Sequence, residues 1–133
     1  MSRENVEVIR RAYGLWNGGD WEQFLELVHP DFVFTTSGTF PGFDPVYRGR
    51  DGMARFSDTM LEAWETFEIE PAEIRDRGDY VVVDLQFRGT GRMSGVEVTV
   101  GFHHVCHFRD GLMDRLVSHP DRAEALEAAG LSE

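Results

Sequence analysis

Lysine is missing from this chain, and all thirteen basic residues are arginine. No side-chain amine is available for Schiff-base chemistry, and a P-loop phosphate site, which needs one, is excluded with it. Cysteine is reduced to Cys106 alone, so no intrachain disulfide can form. No run of about eighteen apolar residues exists to span a bilayer. The opening SRENVEVIRR is charged throughout, so no signal peptide is expected there. Basic residues are outnumbered by acidic ones, and the formal net charge of −11 speaks against nucleic acid or an anionic membrane as the main partner. A cytoplasmic protein is the simplest expectation. Internal repeats, low-complexity tracts and linkers long enough to separate domains are also missing.

What remains is ample for a core. A chain of 133 residues, 41% hydrophobic and 12% aromatic, fits one compact domain over 1–133. Val6, Ile9, Tyr13 and Trp16 fall at helical spacing behind Ser2, a plausible N-cap, and Asn17-Gly18-Gly19 supplies a stop, predicting a helix over 3–17. Asp20 caps a short second helix that Pro30 ends, with His29 closing its last turn. Phe32–Thr36 reads as a short strand. Ser37–Val46 is a loop whose Phe40 and Phe43 either plug the edge of the core or form a lid over a pocket mouth. A third helix starts at Gly49 or Asp51 and carries the stripe Met53, Phe56, Met60 and Trp64. Beyond Glu65 the period becomes alternating, and Phe67–Arg75, Tyr80–Arg88, Val96–Arg109 and Leu112–Ser118 form an antiparallel meander. Asp121 caps a C-terminal helix that Gly130 stops.

Asp110-Gly111 suits a two-residue hairpin turn, and with Arg109 paired to Leu112 it fixes a register. In that register Cys106 faces Arg115, His104 faces Val117 and Phe102 faces His119, all on the apolar face. His104, Arg115 and His119 then interrupt an inward wall, where unpaired polar groups are costly. This cluster is the candidate site. His104 suits a general acid/base, and Arg115 suits a clamp for a carboxylate or a polarised carbonyl. The alternatives are a core histidine satisfied by its surroundings and a buried salt bridge from Arg115, to Glu7 or Glu65 for instance.

No metal is expected. His103 and His107 share a face but lie roughly 13 Å apart at about 3.3 Å per residue, too far for one ion at ligand distances of about 2 Å. His107 opposite Asp114 reads as a cross-strand charge pair on the outer face, where a dimer partner would pack. Cys106 points parallel to His104 rather than towards it, which suits a small core residue and not a nucleophile. Asp84 and Arg88 fall on the face away from the apolar wall.

The stretches WNGGDWEQFLELVHPDFVF, YRGRDGMARF, RGTGRMSGVEV, FHHVCHFRDG and PDRAEALEAAGL resemble the SnoaL-like branch of the nuclear transport factor 2 superfamily, which also holds polyketide cyclases, ketosteroid isomerases and limonene epoxide hydrolases. The resemblance implies an α+β fold. A curved antiparallel meander sheet wraps around helices in a cone-shaped, cystatin-like roll with an internal pocket, usually in a homodimer. Its pocket wall would be Trp16, Tyr47, Phe56, Met60, Trp64, Phe102, His104, Cys106, Arg115 and His119, around a small apolar ligand.

The cyclases of this family place a histidine on the strand before the last, which His104 matches, and a carboxylate near the end of the last strand. Here that place holds His119 and, just beyond, Asp121, which is first a helix cap. The inward positions contain no Asp or Glu, which argues against ketosteroid isomerase chemistry. An epoxide hydrolase-like water activation would need Asp84 and Arg88 turned inward. The expectation is therefore a cofactor-free cyclase or isomerase acting on a polyketide- or steroid-like ketone, with His104, Arg115, His119 and Asp121 as its working residues. The alternatives are a non-catalytic ligand-binding or dimerisation module and epoxide hydrolase-like water activation.

Overall fold

The computed structural model describes residues 2–130. Its elements run α1 (Ser2–Asn17), α2 (Trp21–Leu25), β1 (Val28–Thr35), β2 (Val46–Arg48), α3 (Gly49–Ala63), β3 (Trp64–Arg77), β4 (Tyr80–Gly91), β5 (Glu97–Arg109), β6 (Leu112–His119) and α4 (Arg122–Ala128). The expected cap at Ser2 lies outside the described side chains. At its other end α1 stops as anticipated, where Asp20 N–H reaches Leu15 C=O at 2.9 Å and Gly19 takes φ +75°.

The strands form one sheet in the order β2-β1-β6-β5-β4-β3. From β3 to β6 it is the expected meander, but β1 joins β6 in parallel, so the whole sheet is mixed. Two further departures concern the same region. β2 occupies the end of the expected loop and pairs with β1. Strand β1 begins at Val28, so His29 and Pro30 lie within it instead of closing α2. Proline is tolerated there because the ladder to β6 is irregular between Val28 and Val33. His29 Nδ1 accepts from the Asp31 backbone N–H at 3.0 Å.

One core joins α1, α3 and the inner face of the sheet, with Ile9, Trp16, Phe34, Phe56, Val83 and Phe102 among its buried members. The outer face is covered in part by α4, which contacts β4, β5 and β6. Ala125 and Leu126 of α4 are buried, as are Val82 and Val105 on the strands. Asp121 caps α4, accepting from the N–H groups of Ala123 at 2.7 Å and Glu124 at 3.3 Å.

The expected register of the last hairpin holds only for its first two pairs, Arg109 with Leu112 and Phe108 with Met113. A β-bulge then inserts Asp114, and the pairs become His107 with Arg115, Cys106 with Leu116, His104 with Ser118 and His103 with His119. Because side chains alternate, one extra residue turns the rest of β6 over. Asp114 stays on the outer side, where its carboxylate meets His107 Nδ1 at 2.6 Å and Arg109 Nε at 3.7 Å. The anticipated contact of His107 with Asp114 is therefore made, through the bulge. Leu116 and Ser118 face inward where Arg115, Val117 and His119 were expected.

Gly89 of β4 lies under two aromatic rings. A Cβ there would meet Trp64 Cε3 and Phe87 Cζ at 2.9 Å, and those two rings are themselves packed edge to face. Gly89→Ala is expected to lower stability by about 1–3 kcal/mol in urea denaturation, the cost of overpacking. Gly101→Ala, whose Cβ would meet only Leu85 O at 3.9 Å, should be near neutral or better.

Candidate ligand-binding site

Between α1, α3 and the inner face of the sheet lies a cavity of about 110 Å³. Trp16, Phe56, Met60 and Phe102 line it, as expected. Tyr47, Trp64 and Cys106 do not. Tyr47 is buried against Phe34 and Phe56, with its hydroxyl accepting from the Asp44 backbone N–H at 2.9 Å. Trp64 packs on Phe40 and Phe87, and Cys106 is fully buried, with its thiol pushed to a higher pKa first by burial and then by the Asp114 charge. Phe40 and Phe43 of the loop both line the cavity. Phe40 packs on Trp64, Phe87 and Phe102, so the plug and lid readings describe one wall.

His104 reaches the cavity from the middle of β5, between Val83 of β4 and Ser118 of β6. Its Nδ1 lies 2.8 Å from the Tyr13 hydroxyl of α1. Tyr13 is placed by the helix that carries it. Ile9, Ala12, Tyr13 and Trp16 are the buried stripe of α1, and an asparagine near each end ties that helix to neighbouring backbone. Asn5 Nδ2 donates to Gly78 O at 3.3 Å. Asn17 donates to Ile69 O at 2.7 Å and accepts from Ile69 N–H at 2.8 Å, which occupies backbone groups of the edge strand β3.

Both partners of this bond stay neutral. Burial, followed by the charges of His103 and His119, lowers the His104 pKa to about 3. Burial, with a smaller push from Cys106, raises the Tyr13 phenol well above its usual value. Among the described residues, those lining the cavity include no Asp, Glu, Lys or Arg, and their other polar members are Thr36, Ser37, Thr39 and Ser118.

The remaining expected site residues lie elsewhere. Arg115 is on the outer face, where its Nη2 donates to the Tyr80 hydroxyl at 2.7 Å and its guanidinium lies over the Tyr80 ring. His119 lies opposite His103 on that same outer face, and Asp121 is the cap of α4. Asp84 and Arg88 face outward, as alternation implied. Asp84 binds His103 Nδ1 at 2.7 Å and Arg75 at 3.0 Å. Burial works to raise the Asp84 pKa but is outweighed by the hydrogen bonds and charges of His103 and Arg75, so the carboxyl sits below its ordinary value. Arg88 is paired with Glu68 and Glu70.

Two polar neighbours of His104, Tyr13 and Ser118, are not among the expected site residues. A tyrosine on a buried helical stripe must find a partner for its hydroxyl, and that was the available signal for Tyr13. For Ser118 it was the adjacent pair Asp114-Arg115, because strict alternation would turn one of two consecutive charged residues towards the apolar face, a cost that a bulge removes.

The buried, neutral His104 links stability to pH. Between pH 6.5 and about 3 the unfolded chain binds a proton at this position that the folded chain does not. Stability therefore falls as pH drops through that window, by about 1.4 kcal/mol per pH unit from this one group. In His104→Gln that contribution to the slope between pH 6 and 4.5 should vanish, as measured by chemical denaturation. An unchanged slope would show that His104 is not the group responsible.

Comparison with known proteins agrees with this architecture. The chain matches the SnoaL-like domain family over residues 9–116. A nuclear transport factor 2-like protein of unknown function from Burkholderia pseudomallei superposes with a TM-score of 0.82 at 24% identity, covering 93% of this chain and 95% of that one. TerC, co-crystallised with polyporic acid, gives 0.80 at 25% identity, over 93% and 96% of the two chains. A putative SnoaL-like polyketide cyclase from Jannaschia sp. gives 0.76 at 20% identity, over 87% and 84%. Among curated proteins there is no match. With the family matched over most of its length and the fold shared with these structures, the chain belongs to the SnoaL-like domain family.

Proposed function

We propose that this protein binds a small, largely apolar molecule in the cavity, with His104 as its polar contact. The observation that carries the reading is an apolar hollow of about 110 Å³ into which one strand brings a buried imidazole held by a tyrosine. Apolar walls supply most of the affinity of such sites, and a few placed polar groups orient the ligand. The co-crystallisation of TerC with polyporic acid supports a ligand-binding role for the fold.

A second reading, cyclase-type turnover, is favoured by the same imidazole. A neutral histidine can polarise a carbonyl without carrying a charge itself. Its conjugate acid has a pKa of about 3, so proton abstraction by His104 at neutral pH has little driving force. Among the described residues that line the cavity, no carboxylate is present to take that role. Binding is therefore the primary proposal, and polarisation of a bound carbonyl is the chemistry His104 can add.

Thermal-shift and calorimetric titration with small polycyclic ketones and lactones tests the reading. Ala12 lines the cavity, so Ala12→Leu should fill part of it and weaken binding about tenfold or more. Circular dichroism of that variant should match the wild type. Undiminished affinity in a folded Ala12→Leu protein would place binding elsewhere.

A further inference from the structure

We propose that Tyr13 locks His104 as the Nε2–H tautomer, making the imidazole a hydrogen-bond donor in the cavity for a neutral carbonyl compound, a ketone, lactone or quinone, in a site that rejects carboxylates. This rests on the reading of the cavity as a ligand site.

The tautomer follows from counting protons around one buried bond. The Tyr13 hydroxyl has one proton to donate, and His104 Nδ1, at 2.8 Å, is its hydrogen-bond partner among the described residues. Were Nδ1 to carry the imidazole proton, the phenol oxygen would accept it and the phenol proton would be turned towards apolar side chains. An unsatisfied buried donor costs about 1–3 kcal/mol. With the phenol donating to Nδ1, that proton is used and the imidazole proton must sit on Nε2. Burial supports this by keeping the phenol protonated and the imidazole neutral.

Charge decides the ligand class. Arg115 lies across the sheet with Tyr80, and Arg75 is held on the outer side by Glu73 and Asp84 at 3.0 Å. A carboxylate entering the cavity would meet no guanidinium there, and an unpaired buried charge is expensive. A carbonyl oxygen needs only a donor, which Nε2–H supplies. Ser118, directly opposite His104 and also lining the cavity, places a hydroxyl beside the same position. Tyr13 is thus a positioning residue, acting through the tautomer of its neighbour.

Two measurements on the full chain test this separately. Long-range ¹H–¹⁵N correlation spectra of ¹⁵N-histidine-labelled protein at pH 7 should show His104 with an unprotonated Nδ1 and a protonated Nε2. In Tyr13→Phe the Nδ1 resonance should move as its donor is lost, and the share of the Nδ1–H form should rise. A wild-type His104 protonated at Nδ1, or a tautomer ratio and Nδ1 shift both unchanged in Tyr13→Phe, would overturn the assignment whatever the cavity binds.

The second measurement is a titration with 1-indanone, indane and indane-1-carboxylate. Indanone should bind the wild type several-fold tighter than either analogue. His104→Phe should bind indanone and indane alike. Equal affinity of the wild type for indanone and indane, or tighter binding of the carboxylate, would overturn the specificity. Failure of all three to bind would instead sink the ligand-site reading, and the specificity with it, while leaving the tautomer to stand on the spectra.

Discussion

The hydrogen bond between Tyr13 and His104 is the constraint to which the rest of the site answers. It crosses from a helix to the middle of a sheet inside an apolar core, where either polar group alone would lose its water without compensation. Each partner makes the other affordable, and both must arrive from distant parts of the chain. The register of β5 against its neighbours brings His104 to the inner face. The hydrogen bonds of Asn5 and Asn17 hold the helix that brings Tyr13.

The same economy explains how charge is distributed over the two faces of the sheet. On the outer face the polar and ionic groups stand in rows set by strand pairing: Glu73, Asp84, His103 and His119 in one and Arg77, Tyr80, His107 and Arg115 in another, with Arg75, Val82, Val105 and Val117 between them. Opposite charges meet there in partly solvated surroundings. On the inner face the lining residues carry no formal charge once His104 is neutral. The Asp114 bulge maintains this division. An unbulged β6 would have carried Arg115 and His119 into the cavity, and the bulge sends Leu116 and Ser118 there in their place.

Much of this architecture is legible in the sequence, because hydrophobic period and end signals are local. The stripe of α1, the Gly19 stop, the third helix, the four-strand meander and the Asp121 cap all follow from spacing and capping chemistry. The family resemblance is likewise written in contiguous motifs and agrees with the matched family. Less visible were features that depend on the bulge or on distant pairing. Parallel alignment of β1 with β6 is a tertiary choice, and it draws His29 and Pro30 into a strand despite the helix-stop look of a proline. Strict alternation from the hairpin turn puts Arg115 inward, and one inserted residue reverses it. Tyr47 and Trp64 belong to the core but not to the cavity, a distinction of packing that hydrophobic period alone does not encode. His104 lies in the uninterrupted part of β5, so alternation alone carries it to the inner face.

A double-mutant cycle between Tyr13 and His104 tests most directly whether this bond organises the site. Urea denaturation at pH 7 of the wild type, Tyr13→Phe, His104→Phe and the double variant yields the coupling free energy. A buried hydrogen bond whose two ends depend on each other predicts a coupling of about 1 kcal/mol or more, with the double variant less destabilised than the sum of the singles. Strictly additive losses would contradict the account, because the two groups would then be buried beside each other without either depending on the other.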